Sequence, residues 1–97
     1  MAVNSGNLAV VKRAGVSWRE VEGEVIVLDV AASEYFALNR SASFLWSALG
    51  DDGASPKTLA DALSNRYGVS AEQAAGDVAT FLDHCAASGL VEIDTRS

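Results

Sequence analysis

The sequence has 97 residues and a formal net charge of −6 at pH 7, from seven basic and thirteen acidic side chains, which suits one domain with a single modest core. The acidic balance disfavours a nucleic-acid partner, because proteins bind phosphate backbones largely through Lys and Arg. The sequence has neither an apolar run of about 18 residues nor a secretory signal pattern, so we expect a soluble cytoplasmic protein. It has only one cysteine, Cys85, so we expect no internal disulfide.

The first 15 residues are predicted to form an N-terminal arm that precedes the domain proper, which we place at residues 16–94. Residues 1–7 are small and polar, as is typical of a frayed terminus. Leu8–Val11 is apolar and favours a short strand. We therefore expect the arm to be either flexible or a short edge strand.

A three-stranded antiparallel meander is predicted next. Val16–Glu22 alternates apolar and polar residues, Gly23 supplies a turn, and Glu24–Val30 is a nearly unbroken apolar run rich in β-branched residues. A second turn leads to a short third strand, Glu34–Leu38. Because this strand is the last of the meander, we expect it to lie at an edge with one row of backbone N–H and C=O groups unpaired.

Three helices are predicted after the sheet, each from an N-cap signal. Asn39 precedes the first, Ser55 with Pro56 starts the second, and Ser70 with Gln73 three residues later starts the third. The predicted ends lie at Leu49, Gly68 and Ser88, and Leu90–Asp94 is predicted to be extended. The fold class is therefore α+β and winged-helix-like, with a three-stranded antiparallel sheet followed by a three-helix bundle.

The sequence gives no support for catalysis. One histidine and one cysteine exclude a Cys/His zinc site or a Cys-x-x-Cys redox pair within one chain. His84 and Cys85 are adjacent, but consecutive helical residues do not face each other, so we interpret Cys85 as a small buried hydrophobe and His84 as partly exposed. The carboxylates are dispersed, with Asp77 and Asp83 six residues apart. We predict no enzymatic activity, no metal and no cofactor.

A winged-helix DNA-binding regulator is an alternative that the predicted helices raise. Its recognition helix would be the third one, yet residues 70–88 contain no Lys or Arg and three acidic residues. Such a helix would repel the phosphates that flank a DNA groove. Another alternative is a structural domain that dimerises through the edge strand.

The third helix has a wide apolar stripe beside the predicted edge strand. Its many alanines permit close approach of another backbone, and Gly76, which is unfavourable inside a helix, suggests tight packing or room for a ligand. Either a partner binds between helix and strand, or the helix is simply well packed in a small core. The residues alone leave both interpretations open.

Short motifs over residues 16–93 resemble the PqqD-like family of recognition elements for ribosomally synthesised and post-translationally modified peptides. After the strand that ends at Asp29, these motifs are YFALN at 35–39, FLW at 44–46, TLA at 58–60, YGV at 67–69, DV at 77–78, FL at 81–82 and GLV at 89–91. Each is weak alone, but their order and spacing together are fairly specific. The resemblance implies that residues 16–94 form a non-catalytic peptide-binding domain.

In that family, the resemblance implies, a leader peptide adds as an extra strand to the third strand and lies in a groove walled by the third helix. This agrees with the edge strand beside an apolar helix that the residues indicate independently. The implied peptide-binding residues are Glu34, Tyr35, Phe36, Ala37, Leu38, Ala74, Asp77, Val78, Phe81, Leu82 and Cys85. Alternation places Phe36 and Leu38 on the opposite face from Tyr35 and Ala37, and the sequence leaves open which pair faces the groove.

Two placements within the family compete. The YFALN and YGV motifs look more like the free-standing relatives of lasso-peptide clusters, which deliver a precursor to a leader peptidase and a macrolactam synthetase. The alternative is a PqqD-type peptide chaperone for a radical SAM enzyme in PQQ biosynthesis. In either case the expected partner is the leader segment of a precursor peptide, with Asp77 and Asp83 as candidates to pair with its basic residues. We expect a monomer or weak dimer that binds neither nucleic acid nor membrane.

Overall fold

The computed structural model describes residues 8–50 and 52–95, so the predicted fraying of residues 1–7 lies outside the described residues. The described chain combines short strands with three helices. In chain order the elements are β1 (Leu8–Lys12), β2 (Val16–Val21), β3 (Glu24–Asp29), β4 (Glu34–Ala37), α1 (Arg40–Leu49), α2 (Pro56–Tyr67), α3 (Ala71–Ala87) and β5 (Val91–Thr95). The predicted α+β class, with a three-stranded antiparallel sheet and three helices, is confirmed.

The three-stranded sheet has the order β2-β3-β4, with antiparallel neighbours throughout. Trp18 of β2 and Phe36 of β4 both lie opposite Val27 of β3, so these three residues share one face of the sheet. Val27 is fully buried, which identifies this face as the one that packs on the helices. Strand β4 is the edge strand of this sheet, as predicted, although it ends at Ala37 rather than at Leu38.

A second, two-stranded sheet joins the two ends of the described chain. Strand β1 pairs antiparallel with β5, and Val10 opposes Ile93 in the register. Val10 is fully buried in the core and also bridges to Ala54, with 2.8 Å between the Val10 nitrogen and the Ala54 carbonyl oxygen. Gly53 permits this approach, because it has a φ of +83° and an added Cβ would lie 2.5 Å from the carbonyl oxygen of Val10. Part of the predicted arm thus contributes to the core.

Each helix begins at its predicted N-cap. The side-chain oxygens of Asn39, Ser55 and Ser70 accept hydrogen bonds from the amides three residues later, with donor–acceptor distances of 2.9, 3.1 and 3.1 Å. Gly68 caps the C-terminal end of α2 and has the left-handed conformation that favours glycine, with a φ of +69°. These local signals determine where the helices start relative to the sheet.

The core lies between the inner face of the sheet and the three helices. Trp46 of α1 is fully buried at its centre, and its ring meets that of Trp18 edge-on, with 5.7 Å between the ring centroids. The ammonium of Lys12 lies 4.0 Å from the Trp18 ring centroid, so β1 also packs against this aromatic pair. Over the described ranges, the helices all fall short of the length and apolarity that a membrane crossing requires.

Candidate functional site

A groove of about 740 Å³ runs between β4 and α3, and residues at the start of α1 also line it. We call it the β4–α3 groove. It is lined by Tyr35, Phe36, Ala37, Leu38, Asn39, Ser41, Ala42, Leu45, Asp77, Thr80, Phe81, His84, Cys85, Ser88 and Leu90. Its buried members, such as Leu45 and Leu90, are apolar, whereas its exposed members include polar groups such as Asp77 and Thr80. A groove of this kind suits an extended peptide with both apolar and polar side chains.

One hydrogen bond fixes which backbone groups of β4 face the open edge. The amide of Leu38 donates to the carbonyl of Val25, with 2.9 Å between nitrogen and oxygen. Hydrogen-bonded pairs alternate along an antiparallel ladder, so Phe36 also directs its N–H and C=O towards β3. The intervening residues Tyr35 and Ala37 therefore direct theirs away from β3, towards the groove side of the edge.

The side chains of β4 divide between the two faces of the sheet. Phe36 and Leu38 are half-buried and pack against the core on the helix side. Tyr35, by contrast, is 70% exposed, and Ala37 lies on the same outer face. Phe36 and Leu38 thus face the helices and Tyr35 and Ala37 face outwards, but all four residues line the groove, the outer pair at the strand edge.

Helix α3 presents different stripes to the core and to the groove. Ala74 and Val78 are buried in the core and do not line the groove. The groove wall follows the neighbouring stripe, through Asp77, Thr80 and His84, whose spacing of three and four residues keeps them on one side of the helix. Phe81 and Cys85 belong to both stripes, since they are buried and also line the groove.

The predicted peptide-binding residues fall into two groups. Those that line the groove are Tyr35, Phe36, Ala37, Leu38, Asp77, Phe81 and Cys85. Those that do not are Ala74 and Val78 in the core, Leu82, which is half-buried against the core, and Glu34, which is exposed at the start of β4. Of the apolar α3 residues that we expected in the groove wall, Ala74, Val78 and Leu82 pack against the core instead. Phe81 and Cys85 are buried and also line the groove.

Sequence reasoning did not select the groove residues Asn39, Ser41, Ala42, Leu45, Thr80, His84, Ser88 and Leu90. A signal for three of them was present, because Thr80, His84 and Ser88 continue the helical spacing from Asp77. Those from α1 depend on where this helix crosses the end of β4, which no local pattern reveals. Gly76, which suggested tight packing or a ligand, is exposed and an added Cβ there would meet nothing within 4 Å.

Cys85, the cysteine that lines the groove, has a thiol of low reactivity. Burial raises the pKa of the Cys85 thiol from 9.0 to about 11, because the apolar surroundings disfavour the charged thiolate. The thiol is therefore protonated at neutral pH and is a poor nucleophile. Its neighbour His84 is exposed on the groove wall, so the two side chains do not form a nucleophile–base pair.

Comparisons with known proteins bear on this groove. The model of the PqqD family, described as coenzyme PQQ synthesis protein D, matches residues 24–91. This range includes β3, β4 and all three helices, and hence every residue that lines the groove. A search of curated proteins gives no match.

Two solved structures share the fold over nearly their whole length. TbiB1 in complex with the TbiA(beta) leader peptide is 28% identical, with a TM-score of 0.78 over 84% of this chain and 94% of that one. Lasso peptide synthetase B1 complexed with the leader peptide is 26% identical, with a TM-score of 0.76 over 87% of this chain and 98% of that one.

Proposed function

The chain belongs to the PqqD family, and on this basis we propose that it is a non-catalytic protein that binds the leader segment of a precursor peptide in a ribosomal peptide natural-product pathway. The observation that carries the proposal is the β4–α3 groove, in which the open edge of β4 faces α3. The groove has a volume of about 740 Å³. Both similar solved structures are complexes with leader peptides.

The leader binds by strand addition. The outward N–H and C=O groups of Tyr35 and Ala37 pair with the backbone of the peptide, which becomes the fourth strand of the sheet. The buried apolar lining, including Leu45, Phe81 and Leu90, receives an apolar side chain of the leader. Backbone pairing supplies affinity for any extended segment, and the lining selects the sequence.

The pathway we favour is lasso-peptide biosynthesis in the cytoplasm, with delivery of the precursor to a leader peptidase and a macrolactam synthetase. Support comes from lasso peptide synthetase B1, which is similar over 98% of its length. The alternative is a peptide chaperone for a radical SAM enzyme in PQQ biosynthesis, which the description of the matching family favours. The neighbouring genes distinguish the two: a short precursor beside a peptidase and a synthetase supports the first, and one beside a radical SAM enzyme supports the second.

The binding proposal is tested by titrating the ¹⁵N-labelled chain with the synthetic leader of the precursor encoded beside it. We expect amide shifts concentrated at Tyr35, Ala37 and the groove side of α3, because these groups gain a new strand or wall contacts. A scrambled leader of the same composition is the matched control. Absence of binding, or shifts centred on the outer face of β2, would refute the proposal.

A further inference from the structure

A second, smaller concavity lies on the other side of α1, between the β2–β3 turn and the end of α2. It measures about 300 Å³ and is lined by Glu20, Gly23, Val25, Arg40, Ser43, Phe44, Ser47, Arg66 and Tyr67. We call it the basic cleft, because it contains two exposed arginines, Arg40 and Arg66, and one carboxylate, that of Glu20. It is therefore locally cationic in a chain whose net charge is −6.

The two arginines are not used to stabilise the fold through ion pairs. Among the described residues, neither Arg40 nor Arg66 forms an ion pair, unlike Arg13, which pairs with Asp29, and Lys57, which pairs with Asp61. Arg40 starts α1, where the helix dipole disfavours a cation, and the first turn of this helix has no acidic residue to compensate for it. Glu20 lines the same cleft but forms an ion pair with neither arginine, so both guanidinium groups are available for an external anion.

Aromatic rings hold one side of the cleft in place. Phe44 and Tyr67 meet edge-on, with 5.8 Å between the ring centroids. The guanidinium carbon of Arg66 lies 5.3 Å from the Tyr67 ring centroid, so this arginine is held over the ring beside the cleft. The resulting surface offers a cation beside aromatic edges, which together suit carboxylate-bearing side chains of a peptide segment.

The cleft and the groove lie on opposite sides of α1. Residues advance by about 100° along a helix, so the groove residues Ser41, Ala42 and Leu45 centre roughly 140° from the cleft residues Arg40, Phe44 and Ser47. A peptide in the groove and a second molecule in the cleft can therefore be bound at the same time.

We propose that the basic cleft is the docking site for an acidic surface segment of the enzyme to which this protein presents its bound peptide. The inference rests on the proposed function, since a presenter must hold its peptide and contact an enzyme together. A nucleic acid suits the cleft less well, because the overall negative charge repels a long phosphate chain.

The first test uses a capped acidic peptide, Glu-Glu-Tyr-Glu-Glu, titrated into the ¹⁵N-labelled chain with the leader already bound. We expect salt-sensitive shifts at Arg40, Phe44, Arg66 and Tyr67, and none there with the corresponding lysine peptide. The double variant Arg40→Gln/Arg66→Gln should bind the acidic peptide about tenfold more weakly. Arg19→Gln is the matched control, because Arg19 is also exposed but lies on β2 outside the cleft.

The second test measures binding of the enzyme encoded beside the precursor gene to the chain–leader complex. The double variant should weaken this binding about tenfold and the control should not. Absence of cleft shifts at millimolar acidic peptide, equal shifts with inorganic phosphate, or an enzyme affinity insensitive to the double variant would overturn the inference. If the leader binds but any of these results is obtained, only the docking role of the basic cleft is overturned. If the leader does not bind, the proposed function itself is refuted.

Discussion

The hydroxyl of Ser43 accepts a hydrogen bond from the backbone amide of Val25, with 2.8 Å between oxygen and nitrogen. The same hydroxyl donates to the carbonyl of Leu38, at 3.1 Å. Ser43 is buried on α1, so one side chain links the start of β3, the end of β4 and the helix that follows. This link fixes the end of β4 against α1, and both elements line the β4–α3 groove.

We expect Ser43→Ala to lower the free energy of unfolding by about 1–3 kcal/mol, because the buried amide and carbonyl lose their shared partner. Amide exchange of Leu38 should accelerate more than that of core residues, since the end of β4 is held less firmly. Chemical denaturation and hydrogen exchange measure the two effects. Ser47→Ala on the same helix is the control, because Ser47 is exposed and its replacement should change stability by less than about 0.5 kcal/mol.

Much of the fold was predictable because its signals are local. Asn39, Ser55 and Ser70 each cap a helix with a bond to an amide three residues away, and such bonds depend on neighbouring residues only. The pairing of β1 with β5 is different, since Val10 pairs with Ile93, which lies near the other end of the sequence. A pairing between residues so far apart in sequence cannot be predicted from a short stretch of residues.

The sequence predicted which strand and which helix form the candidate site, but not which of their residues line it. The short third strand and the long third helix were both identified, yet the apolar pattern of α3 indicates only which residues avoid water. It does not distinguish a core that buries Ala74 and Val78 from a groove that exposes Asp77 and His84. That distinction depends on the rotation of α3 about its axis, which is set by packing against α2 and the sheet.

Replacing Ala37 with proline tests strand addition directly. Proline removes the outward N–H that we assign to the incoming peptide but leaves the ladder to β3 intact, as is usual for proline on an edge strand. We expect the affinity for the leader to fall by about tenfold while the circular dichroism spectrum stays unchanged. Ala37→Val, which keeps the N–H, should bind the leader normally. Equal affinity of the two variants would contradict backbone pairing at this residue.

The raised pKa of Cys85 predicts a loss of stability at alkaline pH. In the unfolded chain the thiol titrates near 9.0, whereas in the folded chain burial raises its pKa to about 11. As pH rises through this window, only the unfolded chain loses the proton, so the free energy of unfolding falls, by at most about 2–3 kcal/mol for this group. Denaturation between pH 8 and 11 should show a smaller decline for Cys85→Ala than for the natural chain. Identical slopes would show that the thiol does not contribute.

The two aspartates of α3 give the sharpest test of which helix face binds the leader. Asp77 lines the groove, whereas Asp83, six residues later, is exposed on another side of the helix. We expect Asp77→Asn to weaken binding of a leader that carries a basic residue by about two- to fivefold, as is typical of an exposed ion pair, and Asp83→Asn to leave it unchanged. The loss should shrink at high salt, because screening already weakens the pair in the natural chain. Fluorescence anisotropy with a labelled leader measures both variants. An effect of Asp83→Asn equal to that of Asp77→Asn would mean that the helix charge acts at long range, without a specific contact in the groove.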